Sequence, residues 1–490
     1  MKLRQVGALL AAASIVLAAC GDDDDDDATD TATEEEAPTT TAATEETEAP
    51  STTAATEDTD APADTTAPAD TSAPEDTGTG EATGTQPAEG QMITQPGTCG
   101  LGNGEEATGE PIKLGALATN NPAADFTWIP AMAAIYFECV NQNGGIYGRP
   151  IDYHYEDETE IDPAMSASLA TKLVEEDQVL GIVGSTSLIE CDVNGAYYAE
   201  HGYYPIIAGV AQGCFTNPNF SAVNMGPYYS SLGGAQAALR AGATGKMVVA
   251  SPDVAGFDLI NSGVVEFAEE NGLEGISILE AAPIADPAGF AQRLVQEAGE
   301  GGGVVLDFTG PNVLPVLEAI EEQGLIDSVI WASSTPPNDP TVAEALSDAW
   351  DGKFLINAEF NLLDSGEPDG EHMLELHSAA SPDFPVSSFA QMGYLAGKAA
   401  TEALLRMGEG AEYTAETVNE AFRTLTNVES DMWCKPWYFS SGLDEGNVSN
   451  NTDYTVVPAG DRMDLLEDCF EIAALPTNPL DAIRAAEAAM

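Results

Sequence analysis

A long stretch near the N-terminus contains almost nothing that could form a hydrophobic core. Residues 21–98 hold 22 Asp and Glu and no Lys, Arg or His, and residues 21–91 hold no Val, Leu, Ile, Met or aromatic residue. Such a chain cannot bury enough apolar surface to offset the entropy lost on ordering, so we expect it to be disordered. Its charge and its prolines favour an extended spacer. A fold must therefore be built from the residues that follow.

The segment before this spacer is typical of export. Lys2 and Arg4 precede an apolar run over residues 6–19. That run is shorter than the roughly 20 apolar residues that span a bilayer and suits the apolar region of a signal peptide. It ends in LAAC, whose last residue is Cys20, and this ending resembles the bacterial lipobox. An ordinary secretory signal that happens to end in cysteine is the alternative.

The two segments together predict how the chain is attached to the cell. We expect a lipoprotein signal peptide over residues 1–19, lipid on Cys20, and a disordered acidic tether over residues 20–98 rich in Thr, Ala and Pro. Acyl chains add about 0.8 kcal/mol of membrane affinity per buried CH₂. The predicted location is the extracytoplasmic face of the cell membrane, with the lipid as the membrane contact.

The remaining residues, 99–490, are too many for one compact core and fit two domains. After the 22 acidic residues of the tether are taken from the 82 in the chain, 60 remain against 13 Lys and Arg. Nucleic-acid binding needs a basic face, so we expect no nucleic-acid partner. So many surface carboxylates favour solubility.

Six cysteines remain when Cys20 is set aside. An even number in an oxidising compartment indicates disulfides, and none of their spacings is CxxC-like. Fifteen pairings are possible in principle, and we predict that sequence neighbours pair. The predicted disulfides are Cys99–Cys139, Cys191–Cys214 and Cys434–Cys469.

Short apolar runs alternate with segments of helical periodicity, and the series restarts after Gly245. Alternating strands and helices predict parallel sheets with helices on both faces. Two such series predict two similar lobes, and ligands of open α/β sheets sit at the carboxyl ends of the strands. We therefore expect a cleft between the lobes. The runs indicate strands at 112–118, 151–156, 179–183, 204–208, 247–250, 276–280, 304–308 and 329–332, and helices at 129–143, 163–176, 192–201, 258–271, 287–297 and 313–323.

Several segments resemble a known family when they are taken in order. They are IKLG at residues 112–115, NQNGGIYGRPI at 141–151, EDE at 156–158, DPA at 162–164, GIVGST at 181–186 and GYYPII at 202–207. This order is similar to the type I periplasmic binding proteins of ABC importers, in the branched-chain amino acid class. Residues 389–406 also look like that family's long late helix.

The resemblance implies an α/β fold of two Rossmann-like lobes with parallel sheets, joined by a multi-strand hinge. We expect an N-terminal lobe at 99–240 plus about 358–440, a C-terminal lobe at 241–357 plus about 441–475, and a tail at 476–490. The implied function is binding of a small polar molecule, such as an amino acid or amide, for delivery to the membrane subunits of an ABC importer. We expect a monomer.

Loops after the strands of the first lobe supply candidate ligand-binding residues. Hydroxyls and free N–H groups at the start of a helix can hold an anionic oxygen, although the same hydroxyls can simply cap the helix. Aromatic faces can pack an apolar solute or attract a cation, or merely close the edge of the core. The candidates are Asp125, Phe126, Trp128, Ser185, Thr186, Ser187, Val210 and Gln212.

The second lobe supplies Phe257, Phe308, Thr309 and Ser334 by matching position. The family places an acidic residue near Ser334 against the ammonium group of an amino acid, and this chain has none there. Amides, urea-like compounds, short peptides, carboxylates and aromatic acids therefore stay open as ligands.

No motif indicates an enzyme. The four histidines include no i, i+4 pair of the kind that binds zinc on a helix, and no Walker A or GxSxG sequence is present. We expect no catalytic residues, no cofactor and no metal. The alternatives are a sensory lipoprotein of the same fold and, less favoured, a surface hydrolase or adhesion protein.

Overall fold

The computed structural model describes residues 92–121, 124–254, 256–437 and 452–476. The predicted signal peptide, Cys20 and residues 20–91 of the predicted tether lie outside this range, as does nearly all of the predicted tail. No helix within the described residues has the length and apolarity needed to cross a membrane.

The described residues alternate between strands and helices along most of their length. The strands are β1 Ile112–Asn121, β2 Ala124–Asp125, β3 Ile151–Glu158, β4 Gly181–Ser185, β5 Ile206–Ile207, β6 Ser221–Ala222, β7 Lys246–Pro252, β8 Glu274–Glu280, β9 Gly303–Leu306, β10 Ile330–Ser333, β11 Phe354–Ala358, β12 Thr452–Ala459 and β13 Arg462–Glu471. The α-helices are α1 Trp128–Gln142, α2 Pro163–Thr171, α3 Glu190–Glu200, α4 Gly213–Thr216, α5 Pro227–Arg240, α6 Phe257–Glu270, α7 Pro287–Ala298, α8 Gly310–Glu322, α9 Pro340–Ala345, α10 Pro368–Ala380, α11 Ser388–Arg406 and α12 Ala415–Arg423.

The strands form two sheets. In the first, β3, β1, β4, β5 and β6 lie side by side and parallel, and the short β2 pairs antiparallel with the end of β1. In the second, the order is β13-β12-β11-β10-β9-β7-β8; the strands from β11 to β8 are parallel, and β12 and β13 are antiparallel additions at one edge. The expected α/β fold with two lobes built on parallel sheets is confirmed.

Local sequence explains where these elements begin. Asp162 accepts a hydrogen bond from the backbone N–H of Met165, and Pro163 opens α2, as the sequence predicts. The β4 and β9 strands are buried along their whole length, and apart from Ser185 they consist of Gly, Val, Ile and Leu, as expected for buried parallel strands. The long α11 buries 17 of its 19 residues by packing against α1, β4 and α12, so it forms the centre of the first lobe.

Two described segments cross from one lobe to the other. The first leads from β6 to α5, and the second leads from β11 to Phe360 and α10. Helix α5 packs against β9, β10 and β11 of the second sheet, so it belongs to the second lobe, whereas the sequence placed everything up to residue 240 in the first. Gly226 in the first crossing has a φ of 89°, and a Cβ there would collide with the ring of Phe215. Glycine is therefore required at this crossing.

The folded part includes residues that the sequence assigned to the tether. Thr94 is buried, and the backbone N–H groups of Ile93 and Thr94 donate to the carboxylate of Glu402 on α11. The N–H of Gly97 donates to the carboxylate of Asp369, 2.8 Å away. Residues 92–98 are thus docked on the first lobe, because two buried carboxylates satisfy their backbone donors.

All three predicted disulfides are confirmed. Cys99–Cys139 ties the docked N-terminal segment to α1, and Cys191–Cys214 ties α3 to α4. Cys434–Cys469 joins the segment after α12 to strand β13 of the second sheet. This third bond therefore links chain segments on the two sides of the lobe junction.

Candidate functional site

A cavity with an empty volume of about 650 Å³ lies where the two lobes and both crossings meet. Its walls come from the loops that follow strands of both sheets, which is the position expected for a ligand in an open α/β fold. Most of the lining is apolar. The apolar lining residues are Phe126, Leu188, Gly209, Val210, Phe389 and Met392 from the first lobe and Pro227, Pro252, Phe257, Phe308 and Pro336 from the second.

Two phenylalanines form the apolar wall on the side of the first lobe. The rings of Phe126 and Phe389 meet edge to face with their centroids 5.5 Å apart. Phe126 lies just before α1 and Phe389 lies in the first turn of α11, so the packing of these two helices sets the position of both rings. Rings fixed in this way offer a rigid surface to an apolar group.

The opposite side of the cavity carries a strip of three polar residues: Asp307, Thr335 and Glu359. Asp307 follows β9, Thr335 follows β10, and Glu359 follows β11. These strands are neighbours in the second sheet and run parallel, so their carboxyl ends bring the three side chains to one edge. Asn224, Ser230 and Thr309 add further polar groups to the lining.

Asp307 is buried and held by hydroxyl groups. Its two carboxylate oxygens accept from Ser334 Oγ at 2.5 Å and from Ser231 Oγ at 2.9 Å. Burial raises the pKa of Asp307 to about 6, and the two hydroxyl donors offset part of that rise. The group is therefore mostly ionised above about pH 6, where its charge is available to a ligand.

Glu359 lies in the second crossing and bonds to the first. Its carboxylate accepts from the backbone N–H of Met225 at 2.7 Å and more weakly from Thr335 Oγ1 at 3.4 Å. Burial raises the pKa of Glu359 to about 7, and backbone N–H groups of the first crossing offset part of that rise. A single side chain thus lines the cavity and connects the two segments about which the lobes can move.

A third buried acid, Asp453 on β12, lies behind this strip. Burial raises its pKa well above the usual range, and the charge of Glu359 raises it further. The side chain of Asn357 offsets part of that rise. Since two buried carboxylates resist ionising together, Glu359 and Asp453 titrate as a pair.

The fold and the cavity can be compared with known proteins. The family model described as periplasmic binding protein matches residues 111–459, which is most of the chain and includes both lobes and the cavity. The chain belongs to the periplasmic binding protein family. A comparison with curated proteins gives no significant match.

Solved structures share the fold of this periplasmic binding protein at low sequence identity. A fatty acid ABC transporter substrate-binding protein from Thermomonospora curvata superposes with a TM-score of 0.64 at 19% identity, covering 75% of this chain and 94% of that one. A solute-binding protein of an ABC transporter from Rhodopseudomonas palustris, in complex with benzoate, gives 0.59 at 18%, covering 74% and 98%. A branched-chain amino acid transporter substrate-binding protein from Streptococcus pneumoniae, in complex with isoleucine, gives 0.58 at 15%, covering 73% and 100%.

Some of the residues predicted for the first lobe of this periplasmic binding protein reach the cavity and others do not. Phe126 and Val210 line it. Trp128 instead stacks on Phe384, with ring centroids 6.4 Å apart, and it is not among the lining residues. Asp125 is exposed, and its carboxylate accepts from the N–H and hydroxyl of Thr127. Gln212 precedes α4 and does not line the cavity either.

The hydroxyls of the loop at residues 184–187 point to internal acids. Ser185 Oγ donates to Glu190 at 3.2 Å, and Ser187 Oγ donates to Glu158 at 2.6 Å. Ser187 Oγ also accepts from the N–H of Glu190 at the start of α3, which is the capping alternative that the sequence left open. Thr186 is buried, and none of the three predicted hydroxyl residues lines the cavity. The hydroxyl of Thr186 has no hydrogen-bond partner among the described residues, but it does not lie at the cavity wall.

Three of the four residues predicted for the second lobe lie at the cavity wall. Phe257, Phe308 and Thr309 all line the cavity. Ser334 does not, and it acts through its hydrogen bond to Asp307. Sequence reasoning missed Asp307, Glu359 and Asn224. Each of these follows a strand within two residues, so their position at a carboxyl end is the signal that could have found them.

Proposed function

We propose that this protein is a lipid-anchored, extracytoplasmic solute-binding protein that delivers one small molecule to the membrane subunits of an ABC importer. The observation that carries the proposal is the cavity at the lobe junction, with walls from both lobes and both crossings. A mostly apolar lining with a few polar groups is typical of small-molecule sites.

The arrangement of the lobes supports binding by closure. A solute that contacts both the aromatic rings of the first lobe and the polar strip of the second lobe holds the two lobes together. The backbone dihedral angles of the two crossings change as the lobes close. The closed form then differs from the open form in the surface that it offers to the importer. The named relatives of similar fold are substrate-binding proteins of transporters, and benzoate and isoleucine are the ligands in two of them. The proposal includes no catalytic step.

The predicted lipid on Cys20 and the acidic tether complete the proposal. A flexible spacer keeps the receptor near its importer at high effective concentration while it opens and closes. A Cys20→Ser variant expressed in the native host should be released from the membrane fraction and should no longer incorporate labelled fatty acid. Retention of label and of membrane association by this variant would contradict anchoring at Cys20.

Titration calorimetry tests the binding function itself. The panel comprises amino acids, amides, small carboxylates and amines, and the expected result is heat from at least one class with one site per chain. Val210 is half-buried and lines the cavity, so Val210→Trp should fill it without disturbing the core and should abolish that heat. If no member of the panel binds and the purified protein carries no small molecule, the proposed function is wrong.

A further inference from the structure

The charge inside the cavity restricts the solute further. Two buried carboxylates, Asp307 and Glu359, line it, and no Lys, Arg or His is among the described residues that do. Neither carboxylate forms an ion pair with a described residue. Buried charges in proteins are normally paired, because an isolated one is costly to desolvate. A ligand can supply the positive charge that this site lacks.

Asp307 retains capacity to accept further hydrogen bonds. A carboxylate has about four acceptor positions, and the side-chain donors of Asp307 are the hydroxyls of Ser334 and Ser231. Glu359 accepts from Met225 N–H at 2.7 Å and from Thr335 Oγ1 at 3.4 Å, and Gly226 N–H and the Asn224 side chain also lower its pKa. Its contribution to a ligand is therefore mainly its charge. An ammonium group has three donors on a compact charge and can bond to several acceptors at once. Asp307 thus has acceptor positions open to the donors of a ligand, and the polar strip has no positive charge beside it.

The serine hydroxyls that the sequence offered to an anionic solute are turned away from the cavity. Ser185 and Ser187, which the sequence offers as carboxylate ligands, donate instead to Glu190 and Glu158. The nearby helix starts at Phe257 and Gly310 carry partial positive charge, but each faces a site that already holds two acids. A carboxylate placed here would meet like charge with no basic side chain to compensate it.

We propose that the solute is a protonated amine with an apolar body and no carboxylate, its ammonium group held between Asp307 and Glu359 and its apolar part packed against Phe126 and Phe389. This inference rests on the proposed function and names the chemical class that the same cavity takes. The polar strip and the aromatic wall come from different lobes, so one amine of this kind contacts both and favours the closed form.

Two matched series of probes test the inference by titration calorimetry at pH 8. The first is phenethylamine, phenylalanine and 3-phenylpropanoate, and the second is isopentylamine, leucine and 4-methylpentanoate. In at least one series we expect the amine to bind at least tenfold more tightly than the amino acid, and the carboxylate to bind most weakly. Equal or tighter binding of the carboxylate would overturn the inference and leave the proposed function standing.

Substitutions separate charge recognition from packing. Asp307→Asn and Glu359→Gln should each weaken binding of the amine at least tenfold, whereas Asp253→Asn, which removes an exposed charge after β7, should leave it within twofold. Unchanged amine affinity in both cavity variants would also overturn the inference. If none of the six probes binds, the molecule that co-purifies with the protein is identified by mass spectrometry. A cationic nitrogen in that molecule supports the inference, and a molecule without one refutes the inference.

Discussion

Replacing Asp307 with Asn should stabilise the unliganded protein and weaken its binding of a cation. The carboxyl group is buried, and its pKa is raised from 3.8 to about 6. The folded state therefore binds this proton more tightly than the unfolded state does, so the free energy of unfolding falls as the pH rises from about 4 to 6. Two pKa units correspond to about 3 kcal/mol. Asn is isosteric and can keep hydrogen bonds to Ser231 and Ser334.

Urea unfolding at pH 4 and pH 8 measures this effect. The variant and the natural protein should differ little at pH 4, where Asp307 is protonated in the folded state. At pH 8 the variant should be more stable by up to about 3 kcal/mol. Asp253→Asn is the matched control and should give no pH-dependent gain, because that side chain is exposed.

One result of the urea unfolding experiment would contradict this prediction. A variant that is equally stable or less stable at pH 8 would show that Asp307 is ionised in the folded protein at little cost, through hydroxyl donors alone. The carboxylate would then be a structural group that needs no counter-charge. Asp307 would then give no support to a cationic solute.

Three further outcomes are expected. Lys398→Met should lower the free energy of unfolding by about 3–5 kcal/mol in urea titrations, because it leaves Asp369 buried without the ammonium group 2.5 Å away; a loss below 1 kcal/mol would contradict this. Replacing Cys191 and Cys214 together with Ser should cost about 3 kcal/mol in the same assay, since the bond closes a loop with a sequence separation of 23. Phe126→Ala should weaken solute binding about tenfold in calorimetry, whereas Trp128→Phe should change it less than twofold.

The architecture was predictable because it depends on periodic patterns. Buried strands such as β4 and β9 are short apolar runs, and the helix at Pro163 is preceded by a capping Asp162, so each element has a local signal. The restart of the series after Gly245 indicated two lobes. The packing of α5 on the second sheet had no such signal, because a local sequence pattern does not say against which sheet a helix packs.

The cavity was only partly predictable, for a physical reason. Loops such as the one at residues 184–187 could be placed at a strand end, but the partners of their hydroxyls come from distant parts of the chain. Glu158 is 29 residues from Ser187, and its side chain is fully buried. Asp307 and Glu359 were hidden among many acidic residues whose burial the sequence does not reveal. Side-chain direction at a strand end depends on packing that only the folded structure defines.

Native mass spectrometry of the protein purified under non-denaturing conditions tests the central claim most directly. A receptor that closes on its solute at the lobe junction should show a mass excess of one small molecule per chain, lost on denaturation. The Val210→Trp variant, whose cavity is filled, should show no such excess after the same purification. A bound molecule retained equally by this variant would contradict binding in the cavity, and the absence of any excess even after incubation with an extract of small metabolites would contradict the account of a solute receptor.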